Sequence, residues 1–346
     1  MPSADPTRIE AAMRTRQILA VLGVVSAVTL LGLAPSAQAQ PSADQVLSDF
    51  GLSADDKQRV MNGEFVTPDL SNVSDRDLAV AVVFLVKTTP ESLAKQIITG
   101  DLITQDPQVQ AHGRFSTTGS LADLAGLMIG NDAAQSLAGA QPGESLNLGS
   151  GEIAAFNAVP GGAPPAIQGQ LQKMLLTRYQ AYRTSGLPGI VPYDRGSGRT
   201  LSVGEELRKA SQAAKGLEKY MPGLHAVLLD FPKATVPGMQ HDFRWISYNI
   251  QGKPTYVLVH MLAAPDGAAR AVVERQYYVS TGYNADQAVS GLLPVQGGTM
   301  VFYAGHAFTD QVAGFGGAMK RGIGRRVMAG KLKDLFEADR AKAAGR

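Results

Sequence analysis

The side chains best suited to chemistry lie in one short stretch of this chain. HDFRWISYNIQGKPTYVLVHM, from His241 to Met261, holds the single tryptophan and two of the five histidines. Its imidazoles can exchange protons near neutral pH, and its aromatic rings can line an apolar ligand site. Gln251-Gly252 predicts a two-residue turn, so the stretch is interpreted as two antiparallel strands.

This predicted hairpin has two apolar faces. A turn at Gln251-Gly252 sets Ile250 opposite Lys253, Trp245 opposite Leu258 and Phe243 opposite His260. One face then carries Phe243, Trp245, Tyr256, Leu258 and His260. The other carries Arg244, Ile246, Tyr248, Thr255, Val257 and Val259. Neither face suits open water, so each is expected to be covered or to line a cavity.

The strands that follow are predicted to extend these faces. Arg275 and Tyr277 share one face, Tyr278 lies on the other, and His306 shares its face with apolar residues. Aromatic walls with a few polar atoms are typical of a ligand cavity, and equally of a sheet packed between helices. The residues predicted to bind a ligand are Phe243, Trp245, Tyr256, Leu258, His260, Arg275, Tyr277, His306, Arg321 and Met328.

Arg321 and Met328 belong to a long helix predicted from Gly317 to Ala343. They share one stripe of that helix with glycines and leucines. An arginine on such a stripe needs a buried carboxylate or an anionic ligand head group, unless its guanidinium reaches water. Both partners remain open.

Standard catalytic and cofactor motifs are missing from the sequence. Neither Leu148–Gly151 nor Thr200–Gly204 has the spacing of the G-x-S-x-G elbow, and Ser150 and Ser202 are interpreted as helix caps. His241-Asp242 precedes a strand, and no H-E-x-x-H is present. The G-x-G-x-x-G fingerprint fails after Gly314, and there is no cysteine. We therefore expect no metal, no cofactor and no thiolate chemistry.

The first 39 residues are predicted to be an export signal. Arg14 and Arg16 precede the apolar run from Ile18 to Leu33, and Ala37-Gln38-Ala39 offers a cleavage site before Gln40. The run is shorter than the roughly 20 residues that span a bilayer, so no stable membrane anchor is expected. We predict periplasmic localisation, by the Sec route because paired arginines are lacking.

The charge balance argues against nucleic acid as a partner. Of 32 basic and 30 acidic residues, three and two precede Gln40, so the mature chain is close to neutral. A neutral chain has no general attraction for a polyanion.

The hydrophobic periods predict an α+β fold: a helical N-terminal half, then a mainly antiparallel sheet closed by a long C-terminal helix. We divide the chain into a signal peptide (1–39), a mostly helical portion with one buried strand (40–219) and a sheet portion (220–346), the last two forming one unit. The predicted helices include 90–99, 167–182 and 202–216. The predicted strands are 77–87, 226–231, 242–250, 255–262, 271–280 and 300–308.

This order of elements resembles the helix-grip arrangement of START-like lipid-binding domains. The likeness covers about Met221 to Arg346 and, to a lesser degree, Asp77 to Thr99, while the helical insertion from Gly119 to Gly216 departs from it. In that family the sheet curls around the last helix and leaves an apolar cavity. The resemblance therefore implies a cavity between the strands from Asp242 to Phe308 and the helix starting near Gly317.

Three functions follow as hypotheses. The first is an exported soluble binding or carrier protein for an apolar or amphipathic, lipid-like molecule, with no chemistry of its own. The second is a hydrolase or isomerase in which His260 or His306 acts as a base near an Arg or Tyr donor. The third is an assembly partner of another envelope protein, with a flat surface instead of a cavity.

Overall fold

The computed structural model describes residues 42–100, 106–250, 252–314, 330 and 333. The predicted signal peptide lies outside these residues. So do Arg321, Met328 and the predicted C-terminal helix, apart from residues 330 and 333.

An antiparallel sheet of seven strands organises the described fold, in the order β1-β9-β8-β7-β6-β5-β2. These strands are β1 (Asp77–Val86), β2 (Val109–Arg114), β5 (Gln240–Ile250), β6 (Lys253–Asp266), β7 (Ala269–Val279), β8 (Ala285–Val295) and β9 (Gly298–Phe308). A separate pair is formed by β3 (Tyr193–Asp194) and β4 (Thr200–Leu201). The α+β class and the antiparallel sheet are confirmed, but the sheet is open, with β1 and β2 at its edges.

Both edge strands come from the N-terminal portion of the chain. β1 pairs with the last strand, β9, and β2 pairs with β5. The helical portion and the sheet portion therefore share one set of backbone hydrogen bonds.

The predicted hairpin is confirmed in its pairing. Phe243 lies opposite His260, Trp245 opposite Leu258, and Ile250 opposite Lys253. Gly252 has φ +81°, a left-handed conformation that a residue without a Cβ adopts at little cost. A local turn thus sets the register of β5 against β6.

The helices cover both faces of the sheet. They are α1 (Ala43–Asp49), α2 (Ala54–Met61), α3 (Pro90–Thr99), α4 (Asn131–Ala138), α5 (Ser150–Asn157), α6 (Pro164–Ser185), α7 (Val203–Ala213), α8 (Lys215–Tyr220) and α9 (Pro222–Asp230). The first face, which carries Phe243 and Trp245, packs mainly on α4 to α9, and its β1–β9 end packs on α1 and α2. The second face, which carries Ile246 and Val257, packs on α3. Two apolar faces need two covers, and burial of both is the main stabilising term of this fold.

The predicted position of Tyr278 on the second face is wrong. In the β6–β7 pairing Leu258 faces Tyr278 but Val259 faces Gln276, so Tyr277 is an extra residue in β7. Such a bulge reverses the alternation of side chains beyond it. Tyr277 and Tyr278 are therefore both buried in the core of the first face.

Three further predictions need correction. Residues 226–230 belong to helix α9 and Phe231 is its C-cap, because Pro222 starts a helix there and a short apolar run does not distinguish helix from strand. Strand β8 was not predicted, since Gly291 and Pro294 interrupt its pattern. At α5 the N-cap is Gly149, whose N–H is bonded by Glu152, and Ser150 is the first helical residue.

Trp245 is buried, as predicted, with 2% of its surface exposed. Its Nε1 donates to the carbonyl of Asp123 at 2.7 Å, and a Cβ added to Gly113 on β2 would lie 2.5 Å from that nitrogen. We expect Gly113→Ala to displace the indole, to shift its emission to the red and to cost about 1 to 3 kcal/mol in the free energy of unfolding.

The matched control for this substitution is Gly126→Ala. There an added Cβ would lie 3.7 Å from the same indole, an ordinary contact, and we expect the emission to stay blue. Equal emission spectra for the two variants would contradict the close approach of β2 to Trp245.

Candidate functional site

The structure brings several of the predicted site residues together on the first face. The rings of Phe243 and His260 stack with centroids 4.1 Å apart, and Tyr277 stacks on Tyr182 of helix α6 at 4.0 Å. Trp245 and Leu258 lie in the same buried core. The surfaces of these rings are thus occupied by neighbouring side chains.

A chain of hydrogen bonds runs through this core from the surface to a buried arginine. Nδ1 of the exposed His241 lies 2.9 Å from Nε2 of His260. Nδ1 of His260 lies 3.0 Å from the hydroxyl of Tyr182. Arg275 Nη1 donates to that hydroxyl at 3.2 Å.

The donors of the chain follow from its arginine end, because a guanidinium can only donate. The Tyr182 oxygen accepts from Arg275, so its own proton is donated to His260 Nδ1. The proton of the neutral His260 ring then sits on Nε2 and is donated to His241 Nδ1. This assignment, inferred from the network, satisfies every polar atom along the chain.

His260 is held in its neutral form. Burial lowers the pKa of His260 well below its usual value, and the charges of His241, Arg275 and Arg183 lower it further. A proton added to this chain would either bring the N–H groups of His241 and His260 against each other or leave the Tyr182 hydroxyl without an acceptor. The chain is therefore suited to rigid packing at neutral pH and opposes protonation.

Arg275 joins three helices to the sheet. Its Nε donates to Gln287 at 2.8 Å, and its Nη2 donates to Ser211 of α7 and to the carbonyl of Leu228 in α9. Within the described residues, its partners are all neutral, and the Leu228 carbonyl belongs to the last turn of α9, where the helix dipole is negative. Four donors are engaged, so this side chain has little capacity left for a ligand.

A cavity of about 500 Å³ lies between the first face and helices α1, α7 and α8. We call it the sheet cavity. The apolar residues of its wall include Val46, Phe50, Ala210, Leu217, Val289, Gly291, Leu293, Phe302 and Ala304. Two small residues leave room here: Gly291 on β8 lies opposite Phe302, and Ala304 on β9 lies opposite Val289.

Several charged residues of the cavity rim are engaged by other groups of the protein. Asp49 forms an ion pair with Lys219 and accepts a hydrogen bond from Tyr220. Hydrogen bonds from Lys219 and Tyr220 lower the pKa of the Asp49 carboxyl. Arg270 donates to the carbonyls of Gly267 and Ala269. These contacts favour a hydrated rim around an apolar interior.

The sheet cavity also contains one histidine, His306, with a buried partner. His306 Nδ1 lies 2.8 Å from Asp77 Oδ2, which also accepts the N–H of Val73 at 2.8 Å. Asp77 is fully buried and 6% of His306 is exposed. A carboxylate accepts, so neutral His306 donates from Nδ1 and carries its lone pair on Nε2. The His306–Asp77 pair thus places a buried polar contact beside the apolar part of this wall.

Sequence reasoning included His306 but missed Asp77. The signal was a carboxylate at the start of the buried strand DLAVAVVFLV, where a charge is costly unless it is paired. The pairing of β1 with β9, 229 residues apart, supplies the partner.

Tyr256 lies on the wall of a second, more polar cavity of about 630 Å³. Burial raises the pKa of Tyr256 to about 12, so its hydroxyl stays protonated at neutral pH. The Asn147 amide on this wall donates to the carbonyls of Val279 and Tyr283. Much of this polar lining already bonds to the protein.

No family model, no curated protein and no solved structure matches this chain.

Among the described residues, no helix has the length and apolar character needed to cross a membrane. The same part of the chain contains no cluster of three or more histidine, cysteine, aspartate or glutamate side chains that could hold a metal ion.

Proposed function

We propose that this protein binds an apolar or amphipathic small molecule in the sheet cavity and acts as a carrier. The observation that carries this proposal is the apolar wall between β8, β9 and helices α1, α7 and α8, beside the buried contact between His306 and Asp77. A volume of about 500 Å³ falls within the usual range of small-molecule sites, about 300 to 1,000 Å³.

The strand order of the sheet also supports the proposal, through the resemblance to START-like domains. In the seven-stranded sheet the first strand lies beside the last one, and α3 separates the first two strands along the chain. The cavity implied by that resemblance involves the helix near Gly317, which lies outside the described residues. Among the described residues, the sheet cavity is lined by helices α1, α7 and α8.

The cell envelope is the proposed location, on the strength of the N-terminal segment alone. Arg14, Arg16, the apolar run and the small residues before Gln40 motivate it. Amino-terminal sequencing of the exported protein should begin at Gln40, and a chain that retains Leu31 would contradict it.

Gly291→Leu tests the carrier function by filling the sheet cavity. A Cβ at this position would meet only ordinary contacts, 3.8 Å from Phe302 Cβ, so the rest of the side chain can enter the open space. We expect the free energy of unfolding to change by less than about 1 kcal/mol, whereas overpacking a filled core costs about 1 to 3 kcal/mol. Binding of an apolar naphthalene dye, followed by its fluorescence, should be lost.

Ser290→Leu is the control, since it adds a similar side chain to the opposite face of the same strand. We expect this variant to bind the dye like the wild type. Dye binding that survives in Gly291→Leu, or that is absent from the folded wild type, would contradict the carrier function at this cavity.

A second candidate function is favoured by one observation, the contact between His306 and Asp77. A histidine oriented by a carboxylate is an arrangement that general bases use. In an esterase it would take a proton from water as the water attacks a carbonyl. Release of nitrophenol from nitrophenyl laurate by the wild type, and not by His306→Phe, would favour the enzyme; equal background rates would exclude this activity.

A further inference from the structure

We propose that the sheet cavity selects apolar molecules with a protic head group, an alcohol or a carboxylic acid, and that His306 Nε2 is the atom that receives it. This inference rests on the proposed function, because it assigns the head group of the ligand that the cavity binds. Asp77 acts as a positioning residue for the imidazole.

The contact with Asp77 fixes the orientation of the His306 ring. The 2.8 Å contact from Nδ1 to Asp77 Oδ2 commits one nitrogen. Asp77 is itself fixed, because the same oxygen accepts the backbone N–H of Val73 and the side chain is fully buried. The imidazole therefore offers its other nitrogen, Nε2, to the space that His306 lines.

Among the described residues, no hydrogen bond engages His306 Nε2, so no other group competes for this nitrogen. Its cross-strand neighbour Gln287 accepts from Arg275 with Oε1 and donates to Ser211 with Nε2. Gln287 is thus committed to the buried network, and His306 Nε2 is left as an acceptor beside apolar walls.

An acceptor such as His306 Nε2 beside apolar side chains favours a ligand that can donate a proton to it. An acceptor without a partner costs free energy in an apolar site, and a ligand hydroxyl removes that cost by donating its proton. A carboxylic acid can go further: its O–H bond breaks, an N–H bond forms at Nε2, and the resulting imidazolium lies between two carboxylates. Ethers, esters and hydrocarbons have no proton to offer.

The negative charge of Asp77 restricts the class of ligand head groups further. Its carboxylate already contributes one negative charge to the inner wall, so a head group that keeps its own charge, such as a phosphate or a sulfonate, is repelled. The rim charges of Asp49 and Lys219 compensate each other. An alcohol or a protonated acid brings no net charge into the apolar interior.

The test compares pairs of ligands in which one head group carries an O–H proton and the other carries a methyl group in its place. Dodecanol and its methyl ether, and lauric acid and methyl laurate, are titrated against the dye bound to the full mature protein. We expect the alcohol and the acid to bind at least about tenfold more tightly than their methylated counterparts. In His306→Phe each pair should become equal, because the acceptor is lost while a ring remains.

His306→Gln and Asp77→Asn separate acceptance from simple packing. Glutamine retains an acceptor oxygen, so His306→Gln should keep part of the preference for dodecanol over its ether. Asp77→Asn no longer fixes the tautomer of His306, and we expect it to weaken this preference. If one of the two His306 variants fails to fold, the remaining His306 variant and the separate Asp77→Asn variant still test the head-group assignment.

Two failures are distinguishable. If dodecanol and its ether bind the wild type equally tightly, the head-group assignment is overturned while the carrier function stands. If neither the dye nor any of the four compounds binds the folded wild type, the carrier function itself fails, and the head-group assignment fails with it.

Discussion

Arg275→Met is expected to lower the free energy of unfolding by about 3 to 5 kcal/mol, because each buried acceptor that loses its donor costs about 1 to 3 kcal/mol. Arg275 is 1% exposed and donates to Gln287, Tyr182, Ser211 and the Leu228 carbonyl. Its removal leaves buried acceptors unpaired at the junction of α6, α7, α9 and the sheet.

Urea unfolding followed by circular dichroism measures this effect. Arg275→Lys separates charge from geometry: a lysine keeps the charge but cannot reproduce the fork of donors, so we expect it to be destabilising too. Arg208→Met is the control, because Arg208 is half-exposed and its ion pair with Glu205 at 3.8 Å contributes less than about 1 kcal/mol. A loss in Arg275→Met no larger than in this control would contradict the proposed role of the network.

The second large effect is a loss of stability in mild acid that depends on His260. The folded protein lowers the pKa of this ring well below its usual value, which is about 6.5 in an unfolded chain. The unfolded state therefore binds a proton more readily than the folded state. The stabilising contribution of the neutral His260 ring begins to be lost as the pH falls through about 6.5. It is fully lost only below the pKa of His260 in the folded protein.

The magnitude follows from linkage. Between about pH 7.5 and pH 5.5, one such histidine removes about 1.4 kcal/mol from the free energy of unfolding. Burial also raises the pKa values of Glu274 and Asp286, and carboxyls of this kind act in the opposite direction as the pH falls. The full pH profile therefore combines several groups, and the His260 contribution appears in a difference between variants.

His260→Gln provides that difference, because glutamine can accept from Tyr182 and donate to His241 without titrating. We expect the wild type to lose about 1.4 kcal/mol more than this variant over the same pH interval. Parallel profiles would mean that His260 is protonated as readily in the folded protein as in the unfolded chain.

The hairpin and helix α6 were predictable from the sequence because their information is local. A glycine turn fixes which residues of β5 and β6 face each other, and the pairing of Trp245 with Leu258 followed from it. Helix α6 followed from a stripe that includes Leu171 and Tyr182, both of which are buried.

The errors arose where distant elements decide the local geometry. The bulge beside Tyr277 appears only when β7 is laid against β6, so no alternation within β7 could reveal it. The run that became most of α9 is short and apolar, so its pattern alone did not distinguish a helix from a strand; in the fold it packs on α7 and α8.

The sequence by itself determined the α+β class, the absence of cysteine chemistry and the two apolar faces of the sheet, because each depends on composition or on residues close together in the chain. Only the tertiary structure decided where a cavity lies and which polar groups enter it. His306 acquires Asp77 through the pairing of the first strand with the last one. Contacts across such a span are set by the packing of the whole sheet, which no short window of residues encodes.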